Sequence, residues 1–160
     1  MPRSNTEKIK EIIGEFFGKT GFAVESVDIG VPKDSTIPIR LKMDDPQIII
    51  GEGGQTLAEV QKLLKMVIQK KVASDSHFYI DLDVNEYKKK KTDYLKEMAR
   101  SAADEVSLTK KEKYLPPMQA YDRRVIHLEL SSRQDVATES IGYGPERRIS
   151  IKLRSQGPLV

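Results

Sequence analysis

Residues 51–54 read Gly-Glu-Gly-Gly and fall between two apolar-patterned segments. No other string restricts the possible folds as much. Glycine adopts left-handed backbone angles without a Cβ clash, so one helix can stop and another start within a few residues. Upstream, Asp45-Pro46 opens a short helical turn carrying Ile48, Ile49 and Ile50, because Asp suits a cap and Pro the first helical position. Downstream, Leu57, Val60, Leu64, Val67 and Ile68 form the stripe of a helix over 55–71. Thr56 and Glu59 have the spacing of a capping box at its start.

The rest of the first half alternates in type. Ile9, Ile12, Ile13, Phe16 and Phe17 recur at helical spacing, and Lys19-Thr20-Gly21 closes that helix. Strand-like runs follow over 22–29 and 37–43, with a polar turn between them. In 77–84, Phe78, Ile80, Leu82 and Val84 point one way, while His77, Tyr79, Asp81 and Asp83 point the other. The order is helix–strand–strand–short helix–glycine loop–helix–strand. From 86 to 106 a long helix carries Tyr94, Leu95, Met98, Ala102 and Val106 inward, and its first turn is Lys88–Lys91. A short strand at 113–115, a helix over 118–130 and two strands over 136–143 and 147–154 complete the chain. The hinge between two modules falls near Asn85, giving units 1–84 and 85–160.

Composition removes several chemistries. The 160 residues contain no cysteine, which excludes thiol catalysis, disulfides and Cys-type zinc sites. The only histidines, His77 and His127, are fifty residues apart, so a histidine metal site is not expected. No apolar run approaches the roughly 18 residues of a membrane span, and the opening MPRSNTEKIK has no signal-peptide core. The expected compartment is therefore the cytoplasm, with no membrane insertion. Charge is unevenly divided: 11 Lys/Arg against 13 Asp/Glu in 1–84, and 16 against 11 in 85–160. That asymmetry hints at two modules, the second facing an anion.

Two places look able to hold one. At Gly51, Glu52, Gly53, Gly54 and Gln55, a Gly-x-x-Gly loop lets backbone approach a sugar–phosphate chain, and the next helix offers free N–H groups. The plain alternative is a tight helix–helix turn. A Walker loop or dinucleotide fingerprint is disfavoured, since the lysine after the glycines and the preceding parallel strand are missing. The second place is Asp122–His127. On a helix Arg123 and His127 stand one turn apart, a donor pair suited to phosphate, with Arg124 beside them. Tyr121, Val125 and Leu128 are expected on the core side. In the last strand Ile149, Ile151 and Leu153 would face inward, turning Arg148, Ser150, Lys152 and Arg154 outward as a basic stripe, with Arg147 at the hairpin mouth. Asp81 and Asp83 are expected on an exposed polar strand face rather than at a metal, and Lys88–Lys91 as a solvated connector. No nucleophile motif or catalytic constellation occurs, so no enzymatic activity and no cofactor is expected.

The segments IIIGEGGQTLAEVQKLL and LPPMQAYDRRVIHLEL…TESIGYGPERRISIKL resemble the KH and R3H segments of the bacterial Jag (KhpB) family. The resemblance spans about 5–154. It is strongest at Pro117-Met118, Arg123-x-x-x-His127 and Ser140-x-Gly142-x-x-Pro145-x-Arg147. It implies an α+β chain, a type II KH domain (αββααβ) followed by a small α/β R3H domain. It also implies a non-enzymatic protein that binds single-stranded RNA, or single-stranded DNA, in post-transcriptional regulation. Gly51 and Gly54 would bracket the KH loop, and Arg123 and His127 would be the pair that names the R3H module. Members often carry a further N-terminal domain, whereas here the first KH helix reads from residue 5. Inside the loop that family is usually basic or polar, and here the residues are Glu52 and Gly53. This shifts the expected RNA contact toward the R3H surface. The alternative is a KH half that docks a protein partner or a second copy instead of RNA.

Overall fold

The computed structural model describes residues 5–155 except 73, 74 and 76. The chain divides into two compact units between Tyr87 and Lys88. The division lies inside the first turn of a helix.

The first unit runs α1 (Asn5–Thr20), β1 (Ser26–Ile29), β2 (Thr36–Lys42), α2 (Gln47–Ile50), a 3₁₀ turn (Glu52–Gly54), α3 (Gln55–Val72) and β3 (Tyr79–Val84). Its sheet has the order β1-β2-β3, with β1 antiparallel and β3 parallel to the central β2. Ile13 and Phe17 of α1, Ile49 and Ile50 of α2, and Leu57, Leu64 and Ile68 of α3 close over Ile39, Leu41, Ile80, Leu82 and Val84 in one core. Burying side chains of this size stabilises by roughly 1.5–3 kcal/mol each. Pro38 sits in the central strand, where a missing N–H is usually not tolerated. Here its carbonyl accepts from Gly30 N at 2.9 Å, one position past the last β1–β2 pair Ile29–Ile39, so the missing donor costs the ladder only a bond at its end. Asn85 prolongs the sheet, with its side chain accepting from Met43 N at 3.0 Å and donating to Met43 O at 2.7 Å.

Several expectations change. The first strand begins at Ser26 rather than at residue 22, and the third at Tyr79 rather than 77. Thr56 lies inside α3, and Glu59 pairs with Lys62 at 3.3 Å, so the two do not stand at the helix boundary as a capping box. Asp81 is ion-paired with Arg40 at 2.7 Å. Asp83, expected on an exposed face, is buried in register with Arg40.

The second unit contains α4 (Tyr87–Thr109), β4 (Lys113–Tyr114), α5 (Ala120–Leu130), β5 (Val136–Ile141), a 3₁₀ turn (Gly144–Glu146) and β6 (Arg148–Leu153). Its antiparallel sheet has the order β4-β6-β5, leaving β5 at an edge. Leu95, Ala99, Ala102, Ala103 and Val106 of α4 pack with Ile126, Leu130, Val136, Ile149 and Ile151. Tyr94 is exposed, and the small Ala99 and Ala103 take the inward positions instead. Among the described residues no helix is long and apolar enough to cross a membrane.

The α5 face is also rotated from expectation, and of Tyr121, Val125 and Leu128 only Val125 packs against the core. Tyr121 and Leu128 are 69% and 63% exposed, while Asp122, Ile126 and Leu130 are buried at 5%, 0% and 2%. The cause is an ion pair: Lys91 Nζ reaches Asp122 Oδ2 at 3.0 Å. With that partner a carboxylate can be buried. Asp122, Ile126 and Leu130 are then a regular i, i+4, i+8 stripe. Lys91 is accordingly a packing residue and not part of a solvated connector.

Candidate nucleic-acid interface

Rotating the buried stripe into place puts Arg123 and His127 on the flank of α5, half-buried rather than fully exposed. His127 Nδ1 lies 2.6 Å from Thr138 Oγ1 on the edge strand β5. Arg123 Nη1 donates to Met118 O at 2.5 Å. Met118 N in turn donates to Arg147 O at 3.1 Å, and Arg147 Nε donates to Ser140 Oγ at 2.8 Å. Thr138 and Ser140 share the strand face of the buried Val136, so the three cationic or titratable side chains are tied to one side of the sheet. That parity is the signal by which Thr138 and Ser140 were identifiable as supports, once β5 was placed beside α5. Arg124 is exposed on the outer surface of the same helix.

The basic stripe of β6 lies elsewhere. Ile149 and Ile151 are in the helix-side core, so Arg148, Ser150 and Lys152 face the opposite side of the sheet. Lys152 pairs with Glu139 at 3.0 Å and Arg148 with Glu146 at 3.2 Å. Ser150, expected to be outward and solvated, is fully buried and donates its hydroxyl to Glu112. Leu153 is 36% exposed, at the end of the inward row. The anticipated single surface is thus two: a partner-compensated face on β6, and a flank on α5 and β5. Arg154 follows the strand in the exposed position.

Pairing separates the arginines more sharply than exposure does. Arg40, Arg100, Arg133 and Arg148 each hold a carboxylate. Arg123, Arg124, Arg147 and Arg154 have no carboxylate partner among the described residues, and all four lie in the second unit. Arg133 is the extreme paired case, bonded to Asp135 and Asp104 and raised above the ordinary guanidinium value. For His127, burial first and the nearby Arg123 charge second push the imidazole below its ordinary value. It is therefore neutral at pH 7 unless an anion arrives.

In the first unit the expected loop has its own geometry. Gly51, Gly53 and Gly54 have φ of 69°, 61° and 84°. A Cβ on Gly51 would stand 2.0 Å from Thr56 Oγ1, so only glycine fits there. Glu52 and Gly53 are exposed at the tip, and Gln55 begins α3. No cation comes with the loop itself.

Comparison with known proteins addresses the second unit most directly. The family model for the R3H domain matches residues 93–153, which include Arg123, His127 and Arg147. The RNA-binding protein KhpB of Clostridium symbiosum is 33% identical over 153 residues, 94% of this chain and 67% of that protein. The chain belongs to the KhpB family. Two other KhpB proteins are similar over shorter stretches. That of Lactiplantibacillus plantarum is 35% identical over 107 residues, 67% of this chain and 33% of its own length. That of Bacillus subtilis is 28% identical over 118 residues, 72% and 56%. The chain thus spans about a third to two-thirds of the KhpB relatives it matches. It has an α+β fold with an R3H domain.

Proposed function

We propose that the chain binds single-stranded RNA, or single-stranded DNA, through the second unit, as a cytoplasmic post-transcriptional regulator rather than an enzyme. One observation carries the reading: among the described residues, Arg123 and Arg147 on the flank where His127 stands, and Arg124 on the outer surface of the same helix, have no carboxylate partner. A guanidinium already paired gains little by meeting a phosphate, because it must break one ion pair to form another. An unpaired one gains a charge-assisted, bidentate contact. The relatives named RNA-binding protein KhpB support the choice of ligand. Arg154 is a further cation at the other end of β6 from Arg147, while Arg148 and Lys152 contribute less because Glu146 and Glu139 compensate them.

For the first unit the proposal is a type II KH domain, its αββααβ order and Gly-x-x-Gly turn between α2 and α3 supporting that assignment. The domains would then be 1–84 and 85–160, against a structural division after Tyr87. In such a module the loop Gly51–Gln55 holds about four nucleotides by their backbone. Glu52 opposes that contact through like charge. A second reading is favoured by this carboxylate: the first unit docks a KH-type protein partner or a second copy and leaves RNA to the R3H unit.

Crosslinking the chain to cellular RNA and mapping the attached peptides tests both. Crosslinks within 118–128 and 140–148 are expected. A chain that captures no RNA, or crosslinks only through 47–58, would overturn the assignment to the second unit.

A further inference from the structure

We infer that Tyr143 is the stacking platform for an unpaired nucleobase of the strand held at Arg147 and Arg123. The inference rests on the reading that the second unit binds single strands, and it adds what in the strand is recognised besides phosphate. Tyr143 is 91% exposed. Its position is nonetheless fixed by the turn that follows it: Glu146 N donates to Tyr143 O at 3.2 Å, and Arg147 N donates to Gly144 O at 3.1 Å. Gly142 and Gly144, with φ of 85° and 55°, allow the chain to enter and leave this turn. A Cβ on Gly142 would lie 3.4 Å from Arg147 Cα, so the backbone beside Tyr143 runs against that of Arg147. Through Met118, Arg147 is linked to Arg123 by two hydrogen bonds.

The surroundings select the ligand. Gly142, Gly144, Pro145, Glu146 and Arg147 are all exposed and carry no large apolar side chain, so the turn itself builds no apolar patch around the ring. A protein interface centres on a packed apolar core. A nucleobase needs only one π face, with a cation nearby for its phosphate. The carboxylate beside the ring, Glu146, is turned to Arg148 at 3.2 Å and does not oppose the phosphate as a free charge. Stacking requires an unstacked base, so the site favours single strands over duplexes.

The test compares a short oligouridine with the same ribose-phosphate strand made abasic. Stacking is expected to make the wild-type chain bind oligouridine about fivefold to fiftyfold more tightly than the abasic strand. Tyr143→Ala should remove that difference while leaving abasic affinity and melting temperature unchanged. Tyr143→Phe should keep it. The chain has no tryptophan, so Tyr143→Trp adds a single indole whose fluorescence oligouridine, but not the abasic strand, should quench. Equal affinity of the wild type for both strands, or a preference that survives Tyr143→Ala, overturns the stacking role while RNA binding stands. Failure of the wild type to bind either strand removes RNA binding and the stacking role together.

Discussion

The two units handle charge in opposite ways. In the first, Arg40 is the one arginine described, and it is spent on Asp81, while the exposed loop tip carries Glu52. In the second, four arginines have no carboxylate partner among the described residues, even though eleven acidic residues lie between 85 and 160. Eight of those acids go to Lys91, Arg100, Lys113, Arg133, Arg148 and Lys152. Net charge therefore says less about anion binding than the pairing pattern does. Exposed pairs such as Lys152–Glu139 add only about 0–1 kcal/mol of stability, but they still remove a cation from the field that a phosphate would meet.

The largest effect that would sharpen this contrast lies inside the paired set. Asp122→Ala leaves Lys91 partly buried without its counter-charge, and Lys91→Ala leaves a buried carboxylate. Breaking such a pair from one side costs about 3 kcal/mol or more. Chemical denaturation should show this loss in both variants, and Lys91→Met with Asp122→Leu together should recover most of it. If Lys91→Ala instead keeps full stability and loses RNA affinity, Lys91 belongs with the binding cations and the division between paired and unpaired groups fails.

Next in size is Arg123→Ala. Losing a charged hydrogen-bond donor to phosphate should weaken RNA binding by about 1.5–3 kcal/mol. Losing its bond to Met118 O should cost stability by only about 1 kcal/mol. Arg148→Ala, on the compensated face, should change affinity far less. With roughly three to four phosphates engaged at about −0.7 each, log affinity should fall against log salt with a slope of about −2 to −3. Equal losses for Arg123→Ala and Arg148→Ala in a filter-binding titration would contradict the argument from pairing.

Most of the element order was legible in the sequence, because periodicity 3.6 and 2 reports burial directly wherever buried residues are apolar. Ile9, Ile12, Ile13 and Phe17 read correctly for that reason, as did Ile80, Leu82 and Val84. The burial errors involve polar groups. Asp122 turned the α5 pattern toward the wrong face, whereas Asp83 and Ser150 lie on their expected strand faces but are covered instead of solvated. For Asp122 and Ser150 the compensating partners, Lys91 and Glu112, are more than thirty residues away in sequence. Arg123, His127 and Arg147 were readable as candidates from their types and spacing. That Arg148 and Lys152 lie on the other face, and hold acids, required the register of β5 against β6. Strand ends at Ser26 and Tyr79 depend on pairing partners and carry no local mark.

A smaller effect tests whether the first unit joins in. A phosphate against the Gly51–Gly54 backbone would meet the Glu52 carboxylate within a few ångströms, at a cost on the order of 1 kcal/mol in a solvent-exposed setting. Glu52→Lys should therefore strengthen RNA binding by about 1–2 kcal/mol at low salt if the loop is engaged, with no loss of stability, since Glu52 is exposed. Unchanged RNA affinity together with altered self-association or partner binding would favour the docking reading and leave the first unit outside the RNA contact.

The smallest effect concerns His127 and has opposite signs in stability and in binding. Burial and the Arg123 charge hold the folded-state value below that of the unfolded chain. Between the two values the unfolded state binds more protons, so stability rises with pH and is lost as pH falls below about 6.5. A phosphate at the flank reverses the preference by favouring the imidazolium, so RNA binding should take up a proton. Affinity is then expected to increase several-fold, but by less than about tenfold, as pH drops from about 7.5 to 6. His127→Gln should flatten this pH dependence while keeping a hydrogen-bonding group near Thr138 Oγ1. Arg147→Ala should lower affinity without flattening it, because the imidazole that takes up the proton remains in place. Titrating binding at the two pH values for wild type and both variants decides whether His127 touches the phosphate or only supports β5. An affinity that is independent of pH in the wild type assigns it the second role.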